Sequence, residues 1–168
     1  MPSPATVVRR CTLADVAAIR CLRLEMLARA PEDFDVDVAA WRAHPDDWWE
    51  EFTARHSQGG DYFVAIAIND GEAIGMVGAN REGTVAEYGM LWVRATHRRH
   101  GIAGALLTAC EIWASEHGLT EVQCSIMDAN TASVMFHEHR GYIRHGTAAT
   151  RSGAIESLWS RAVRWPLA

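Results

Sequence analysis

The sequence predicts a single α/β domain of the α+β kind, with a mixed central sheet of about seven strands and about four flanking helices. Apolar, β-branched runs between residues 62 and 93 are joined by short turns at Asp70-Gly71 and Gly83, which is typical of antiparallel hairpins. A strand, an amphipathic helix and another strand follow over residues 85–126, and this order requires a right-handed crossover with parallel pairing.

The first strand and first helix are predicted at the start of the chain. Residues 7–10 form the strand, and Thr12 with Asp15 forms a capping box at the helix N-terminus. Apolar residues then recur at spacings of three and four until Pro31 ends the helix. This buried stripe comprises Val16, Ile19, Leu22 and Met26.

The second helix is predicted to begin at His44-Pro45, because proline suits the first helical position. Asp46 and Asp47 then lie at the positive end of the helix dipole. The acidic segment 32–37 before it is predicted to be a loop, and Gly59-Gly60 ends the helix.

The middle of the chain supplies most of the sheet. We predict strands at 62–68, 73–79 and 85–93, then a helix ending at Gly118 and a fifth strand at 122–126.

The C-terminal part predicts one more helix and two strands. The helix spans residues 130–140 and ends at Gly141, and the strands lie at 142–147 and 155–165, before Pro166.

Composition limits the class of protein. The chain has 168 residues, which fits one domain over 1–168. Its hydrophobic content of 49% is ordinary for a globular protein, and a pI of about 5.9 argues against a nucleic-acid binder. No apolar run approaches the roughly 20 residues of a membrane span.

The cellular location is predicted to be cytoplasmic. The N-terminus lacks the apolar core of a signal peptide. The four cysteines include no C-x-x-C pair, so we expect reduced thiols. They are Cys11, Cys21, Cys110 and Cys124.

A basic loop separates the fourth strand from the following helix, in a chain of net charge -5. Small residues at Gly101, Ala103 and Gly104 let the backbone approach a ligand, and the unpaired amides at the helix start favour an anion. We therefore expect a ligand with more than one phosphate, the alternative being a solvated basic turn. The basic residues are Arg94, His97, Arg98, Arg99 and His100.

Two blocks of this sequence resemble the GNAT superfamily of N-acyltransferases. Arg98-x-x-Gly101-x-Ala103 resembles the motif that opens the acetyl-CoA pyrophosphate loop of that family. Residues 130–142, in which asparagine opens a helix that closes with glycine and an aromatic residue, resemble its later segment. Both blocks occur in the family's order and separation.

The resemblance implies a V-shaped splay between the fourth and fifth strands, with acetyl-CoA bound in it. It implies direct acetyl transfer to the primary amine of a small-molecule or peptidic acceptor. Acetyl-CoA is the only cofactor expected, with no metal, because His137-Glu138-His139 is too short for a zinc-binding H-E-x-x-H motif.

The resemblance also implies which residues contact the cofactor. The Val93 backbone is expected to bond the acetyl or pantetheine amides, while Asn130 contacts the pantetheine arm, caps its helix, or does both. The full set is Leu91, Trp92, Val93, Arg98, Arg99, His100, Gly101, Ile102, Ala103, Gly104, Asn130 and Ser133.

Glu87 is the candidate general base, since some members of the family carry a glutamate at this strand position. With regular pairing it would share a face with Val85, Leu91 and Val93, although a bulge at Gly89 would change that. The alternative role is an ion pair with an arginine.

His137 occupies the position usually held by the family's tyrosine acid. Its ordinary pKa near 6.5 lets it serve as acid or base. Three interpretations stay open: a proton donor, a hydrogen-bond partner of the CoA sulfur, or a surface histidine without a role.

The acceptor is not defined by the sequence. The region of the first two helices is rich in carboxylates and tryptophan, which suits a cationic amine. The alternative is that the carboxylates face solvent and the tryptophans form core. The residues are Glu25, Glu32, Asp33, Asp35, Asp37, Trp41, Asp46, Asp47, Trp48, Trp49, Glu50 and Glu51.

Two functions other than acetyl transfer are considered, a binding module and an oxidoreductase. A non-catalytic CoA-binding module is the main alternative, because of His137. A dinucleotide-binding oxidoreductase is rejected, since the glycine loop comes late and lacks the full G-x-G-x-x-G motif. A homodimer through the C-terminal strand, using Trp159 and Trp165, is left open by the sequence.

Overall fold

A computed structural model describes residues 6–163, and its strands form one seven-stranded sheet in the order β1-β2-β3-β4-β5-β7-β6. The mixed α/β fold predicted from the sequence is confirmed. The strands are β1 (Thr6–Arg10), β2 (Tyr62–Asn69), β3 (Glu72–Glu82), β4 (Val85–Val93), β5 (Glu121–Met127), β6 (Ile143–Ala149) and β7 (Ile155–Ala162).

Five α-helices occur among these residues, one more than the sequence predicted. The extra helix, α2, follows the predicted acidic loop and is capped by Asp37, whose carboxylate accepts from the Ala40 amide. The helices are α1 (Val16–Arg29), α2 (Val38–Ala43), α3 (Asp46–His56), α4 (Ile102–Glu116) and α5 (Thr131–His139).

The predicted capping box is present before α1. Asp15 accepts from the Thr12 amide at 2.7 Å, and the Thr12 hydroxyl accepts from the Ala14 amide at 3.3 Å. These bonds satisfy amides that the helix itself leaves unpaired.

Helices pack on both faces of the sheet, so alternate residues of β2 belong to different cores. Val64 and Ile66 pack with Met26 of α1 and Trp49 of α3, whereas Phe63, Ala65 and Ala67 belong to the core around α4. We call these the α1 face and the α4 face.

The β4–β5 pair is the parallel one, and all other strand pairs are antiparallel. This pair is short: it holds only from Val85 opposite Glu121 to Glu87 opposite Gln123. Beyond Glu87 the two strands separate, which confirms the predicted splay.

A bulge interrupts β4 between Gly89 and Trp92. Its pairing with β3 shifts register after Met76, and Met90 has a φ of 56°. A Cβ on Gly78 would lie 1.9 Å from Met90 Cε, so the Met90 side chain occupies the space that the absent side chain of Gly78 leaves. The bulge changes the face to which the following residues point.

The C-terminal strand differs from one expectation. Trp159, considered for a dimer interface, is only 4% exposed and packs in the core on the α4 face. Its burial within the chain removes it from any such interface. Trp165 and Pro166 lie outside the described residues.

Candidate active site

The splay between β4 and β5 contains a cavity of about 560 Å³. Its walls come from the end of β4, the basic loop and first turn of α4, the end of β5, and α5. Eleven of the twelve predicted cofactor-binding residues line it: Leu91, Trp92, Val93, Arg98, Arg99, Gly101, Ile102, Ala103, Gly104, Asn130 and Ser133.

His100 is the exception. Its side chain is exposed and is not part of the cavity lining. The basic loop therefore turns Arg98 and Arg99 toward the cavity and His100 toward solvent.

The basic loop has a backbone suited to holding an anion. Arg98 donates from Nε to the carbonyl of Val93 at 2.8 Å, which ties the loop to the end of β4. Arg99 and Gly101 have φ values of 65° and 78°, and Gly101 is the N-cap of α4. The first amides of α4 thus begin at the cavity wall, where the helix dipole favours negative charge.

Asn130 caps α5 and also lines the cavity. Its Oδ1 accepts from the Ser133 amide at 3.0 Å. Capping and ligand contact are therefore compatible roles for this residue.

His137 is buried, with 3% of its surface exposed, and so it is not a surface histidine. Its Nδ1 donates to the Ser133 carbonyl at 2.7 Å, which makes Nε2 the acceptor nitrogen of the neutral ring. Nε2 is buried without a partner. Burial lowers the pKa of His137, so the neutral form is favoured.

Tyr88 and Trp92 both line the cavity. The sequence did not identify Tyr88 as a site residue, and it assigned no role to the indole nitrogen of Trp92. Tyr88 Oη and Trp92 Nε1 are buried without a hydrogen-bond partner. Burial raises the pKa of Tyr88 well above its ordinary value. The Tyr88 hydroxyl is therefore a permanent donor in the cavity wall. Tyr88 directly follows the candidate base Glu87 in the sequence, and this adjacency was the signal that could have identified it.

Glu87 does not share a face with Leu91 and Val93, contrary to the parity expected for regular pairing. Ala86 and Tyr88 before the bulge, and Val93 after it, all belong to the α4 face, so Glu87 points to the α1 face. It is exposed, is not part of the cavity lining, and is the last residue of β4 that pairs with β5, at the apex of the splay.

The connection between α1 and α2 covers part of the cavity. Asp33 and Phe34 line it, and Asp35 accepts from the amide of Arg151 at 2.8 Å, which joins this connection to the turn between β6 and β7. Burial raises the pKa of Asp33, with the charge of Glu32 adding to it, while Asn130 and Arg98 act in the opposite direction.

Several acidic residues considered for the acceptor have structural partners. Glu25 pairs with Arg94 at 2.8 Å, and Asp46 pairs with Arg20 at 2.6 Å. Trp49 is core, whereas Trp41 and Trp48 are half-buried. Asp33 is the carboxylate of this set that reaches the cavity.

A buried carboxylate, Glu111 of α4, joins the elements on the α4 face. It accepts from Arg140 at 2.9 Å, from the Tyr142 hydroxyl at 3.0 Å, and from Arg161 at 3.3 Å. A Cβ on Gly104 would lie 3.3 Å from Arg140 Nη1, so the absence of a side chain there leaves room for this guanidinium.

Within residues 6–163, no three His, Cys, Asp or Glu side chains gather in a way that could hold a metal ion. None of the helices in this part is both long and apolar enough to span a bilayer.

The fold, the splay and the loop before α4 define the class of protein. The profile of the acetyltransferase (GNAT) family matches residues 24–142, and the chain belongs to this family. No curated protein matches the chain significantly in sequence.

Solved structures share the fold over nearly the whole chain. A GNAT-family acetyltransferase from Streptococcus pneumoniae has a TM-score of 0.79 at 15% identity, covering 94% of this chain and 99% of that one. A GCN5-related N-acetyltransferase from Kribbella flavida has a TM-score of 0.77 at 23% identity, covering 96% and 100%. PaiA N-acetyltransferase from Thermoplasma acidophilum, solved with coenzyme A, has a TM-score of 0.77 at 14% identity, covering 94% and 98%.

Proposed function

We propose that this protein is an acetyl-CoA-dependent N-acetyltransferase that acts on the primary amine of a small-molecule or peptidic acceptor. The observation that carries the proposal is the cavity between the separated ends of β4 and β5, with Arg98, Arg99 and the first turn of α4 in its wall. Acetyl-CoA supplies the acetyl thioester when bound.

The residues present fit such a ligand. The amides of Ile102, Ala103 and Gly104 and the guanidinium groups of Arg98 and Arg99 suit a diphosphate. Three buried polar atoms of the wall lack partners and are available to an elongated, amide-containing arm: Tyr88 Oη, Trp92 Nε1 and His137 Nε2. The coenzyme A complex of the Thermoplasma protein supports this choice of ligand.

Acetyl transfer requires a neutral amine, so the site needs a proton acceptor. His137 presents an unprotonated Nε2 at the cavity, and Glu87 presents a carboxylate at the apex of the splay. Both are therefore candidate bases. The neutral state of His137 suits accepting a proton better than donating one.

The departing sulfur requires a donor, which the family's usual tyrosine would provide at position 137. We assign this role to Tyr88, a residue of the same cavity wall whose hydroxyl is buried without a hydrogen-bond partner. Because burial keeps the hydroxyl protonated, Tyr88 stabilises negative charge on sulfur by hydrogen bonding.

A cytoplasmic location belongs to the proposal. All four cysteines are thiols without a disulfide, which supports a reducing compartment.

The test is release of free CoA, followed with a thiol reagent, when acetyl-CoA and amines of different classes are supplied. Binding of acetyl-CoA is measured in parallel by thermal shift. We expect stabilisation by acetyl-CoA and amine-dependent release of CoA. Binding without turnover on any amine would instead indicate a non-catalytic CoA-binding module, and absence of binding would overturn the assignment.

A further inference from the structure

The connection between α1 and α2 brings a carboxylate into the wall of the cavity. A short 3₁₀ turn, Pro31–Asp33, follows α1, and both Asp33 and Phe34 line the cavity. Phe34 packs against the core of the α1 face, and its ring centroid lies 5.7 Å from the guanidinium of the buried Arg23. The Asp33 amide donates to the Ala30 carbonyl at 3.1 Å. This turn is therefore anchored on both sides of Asp33.

The neighbours of Asp33 in the wall are residues that we propose for the cofactor. Arg98 and Asn130 line the same cavity. Burial and the charge of Glu32 raise the pKa of Asp33, whereas a hydrogen bond from Asn130 and the charge of Arg98 lower it. Asp33 is only half-buried, so its carboxylate is ionised at neutral pH. A negative charge thus lies among groups suited to holding phosphates.

Few donors of these two residues are left for a ligand. Arg98 already donates from Nε to the Val93 carbonyl, so its terminal nitrogens are the ones that can reach a phosphate. Asn130 uses Oδ1 to accept from the Ser133 amide, so its side-chain NH₂ is the remaining polar group. A carboxylate and a phosphate accept from the same donors. Asp33 and an anionic ligand would therefore share Arg98, and their like charges repel.

We propose that Asp33 limits the affinity of this protein for CoA and its thioesters, because its carboxylate competes with the phosphates of the cofactor for Arg98. This inference rests on the proposed acetyl transfer and adds a residue that opposes cofactor binding. Free CoA must leave after each transfer, and release of product limits the turnover of many enzymes. A competing carboxylate speeds that release.

Asp33→Asn tests the proposal, since it removes the charge and keeps both the size of the side chain and an acceptor oxygen for Asn130. We expect CoA to bind this variant about threefold to tenfold more tightly in calorimetry, and to dissociate more slowly in stopped-flow measurements. The gain in affinity should shrink at high salt, because salt screens the repulsion. Pantetheine, which lacks the phosphates, should bind the variant and the wild-type protein equally.

Asp37→Asn is the matched control. It removes the same charge from the same connection, but Asp37 is exposed and is not part of the cavity lining. Asparagine also replaces aspartate well as the cap of α2. We expect its CoA affinity to stay close to that of the wild-type protein.

Two results would overturn the inference. One is a CoA affinity in Asp33→Asn that is equal to or weaker than that of the wild-type protein, and the other is an equal gain in Asp37→Asn. Either result leaves the proposed function standing, provided that the wild-type protein binds CoA. A wild-type protein that does not bind CoA would overturn the proposed function and this inference together.

Discussion

The rings of Tyr88 and His137 lie nearly parallel in the cavity wall, with centroids 6.0 Å apart and 19° between their planes. Each ring has one buried polar atom without a partner, Oη of the tyrosine and Nε2 of the histidine. One atom donates and the other accepts. The site thus holds a donor and an acceptor side by side, on a strand and on a helix.

Tyr88→Phe removes the donor while conserving the ring. We expect the chemical step, measured by single-turnover kinetics, to slow by about a hundredfold, with little change in the dissociation constant of acetyl-CoA. Tyr142→Phe is the matched control, because the Tyr142 hydroxyl already donates to Glu111. It should lower stability and leave the rate nearly unchanged. A wild-type rate for Tyr88→Phe would remove Tyr88 from the mechanism.

His137→Phe removes the acceptor nitrogen and keeps an aromatic ring against Tyr88. The chemical step should slow while the affinity for acetyl-CoA stays nearly intact. Measurements of kcat and of the dissociation constant of acetyl-CoA test this. If the rate is unaffected, His137 serves only to pack α5 against the sheet.

Arg98 and Arg99 line the cavity, whereas the adjacent His100 does not. Arg99→Ala should weaken CoA binding by about tenfold or more, the value of a hydrogen bond to a charged group. Binding of pantetheine, which lacks the diphosphate, should not change, and His100→Ala should affect neither ligand. Equal losses for CoA and pantetheine would contradict a diphosphate contact.

Sequence reasoning succeeded where the decisive interactions are local. The hairpins, the capping box and the loop before α4 depend on residues within a few positions of one another, such as Thr12 and Asp15. The cavity residues that the sequence predicted belong to motifs of consecutive residues.

The features that the sequence did not predict depend on contacts between residues that lie far apart along the chain. The bulge in β4 lies where Met90 packs over Gly78 of the preceding strand, and it leaves Glu87 on the face opposite Leu91 and Val93. Helix α2 is short. Besides its local cap, it is held by contacts of Trp41 with Trp48 and Trp49 of the following helix, α3. The burial of Arg23 depends on Phe34 and Trp41, which lie in later segments.

Glu87 remains a candidate base on the α1 face. Glu87→Gln should lower turnover most strongly at low pH, where more of the acceptor amine is protonated and a base is most needed. Glu121→Gln provides the control, because Glu121 lies two residues before the partner of Glu87 on β5. An unchanged pH–rate profile in Glu87→Gln would exclude it as the base.

Glu111 should contribute strongly to stability. Glu111→Ala leaves the hydroxyl of Tyr142 and the guanidinium of Arg140 without their buried acceptor, which should cost about 2–4 kcal/mol in denaturant unfolding. Glu116→Ala, at an exposed site of the same helix, should cost little. Similar losses of unfolding free energy in both variants would show that the hydrogen bonds of Glu111 do not contribute to stability.

His56 should make stability depend on pH in mildly acidic solution. Burial lowers the pKa of His56 to about 4, with Arg55 and Arg10 contributing, although the Phe52 carbonyl that accepts from Nδ1 at 2.6 Å opposes this shift. Above pH 6.5, near the ordinary histidine pKa, both folded and unfolded chains hold His56 neutral. As the pH falls from about 6.5 to about 4, the unfolded chain binds a proton that the folded chain does not, so stability declines by about 3 kcal/mol.

Denaturant unfolding at a series of pH values between 7 and 4 measures this decline. His56→Phe, which keeps an aromatic ring against Phe52, should flatten the curve over that interval even if it lowers stability at pH 7. Phe52→Leu perturbs the same cluster without removing a titratable group, so it should lower stability by a similar amount at every pH. An equally steep decline in His56→Phe would place the acid sensitivity elsewhere, because the slope reports only protons that the two states bind differently.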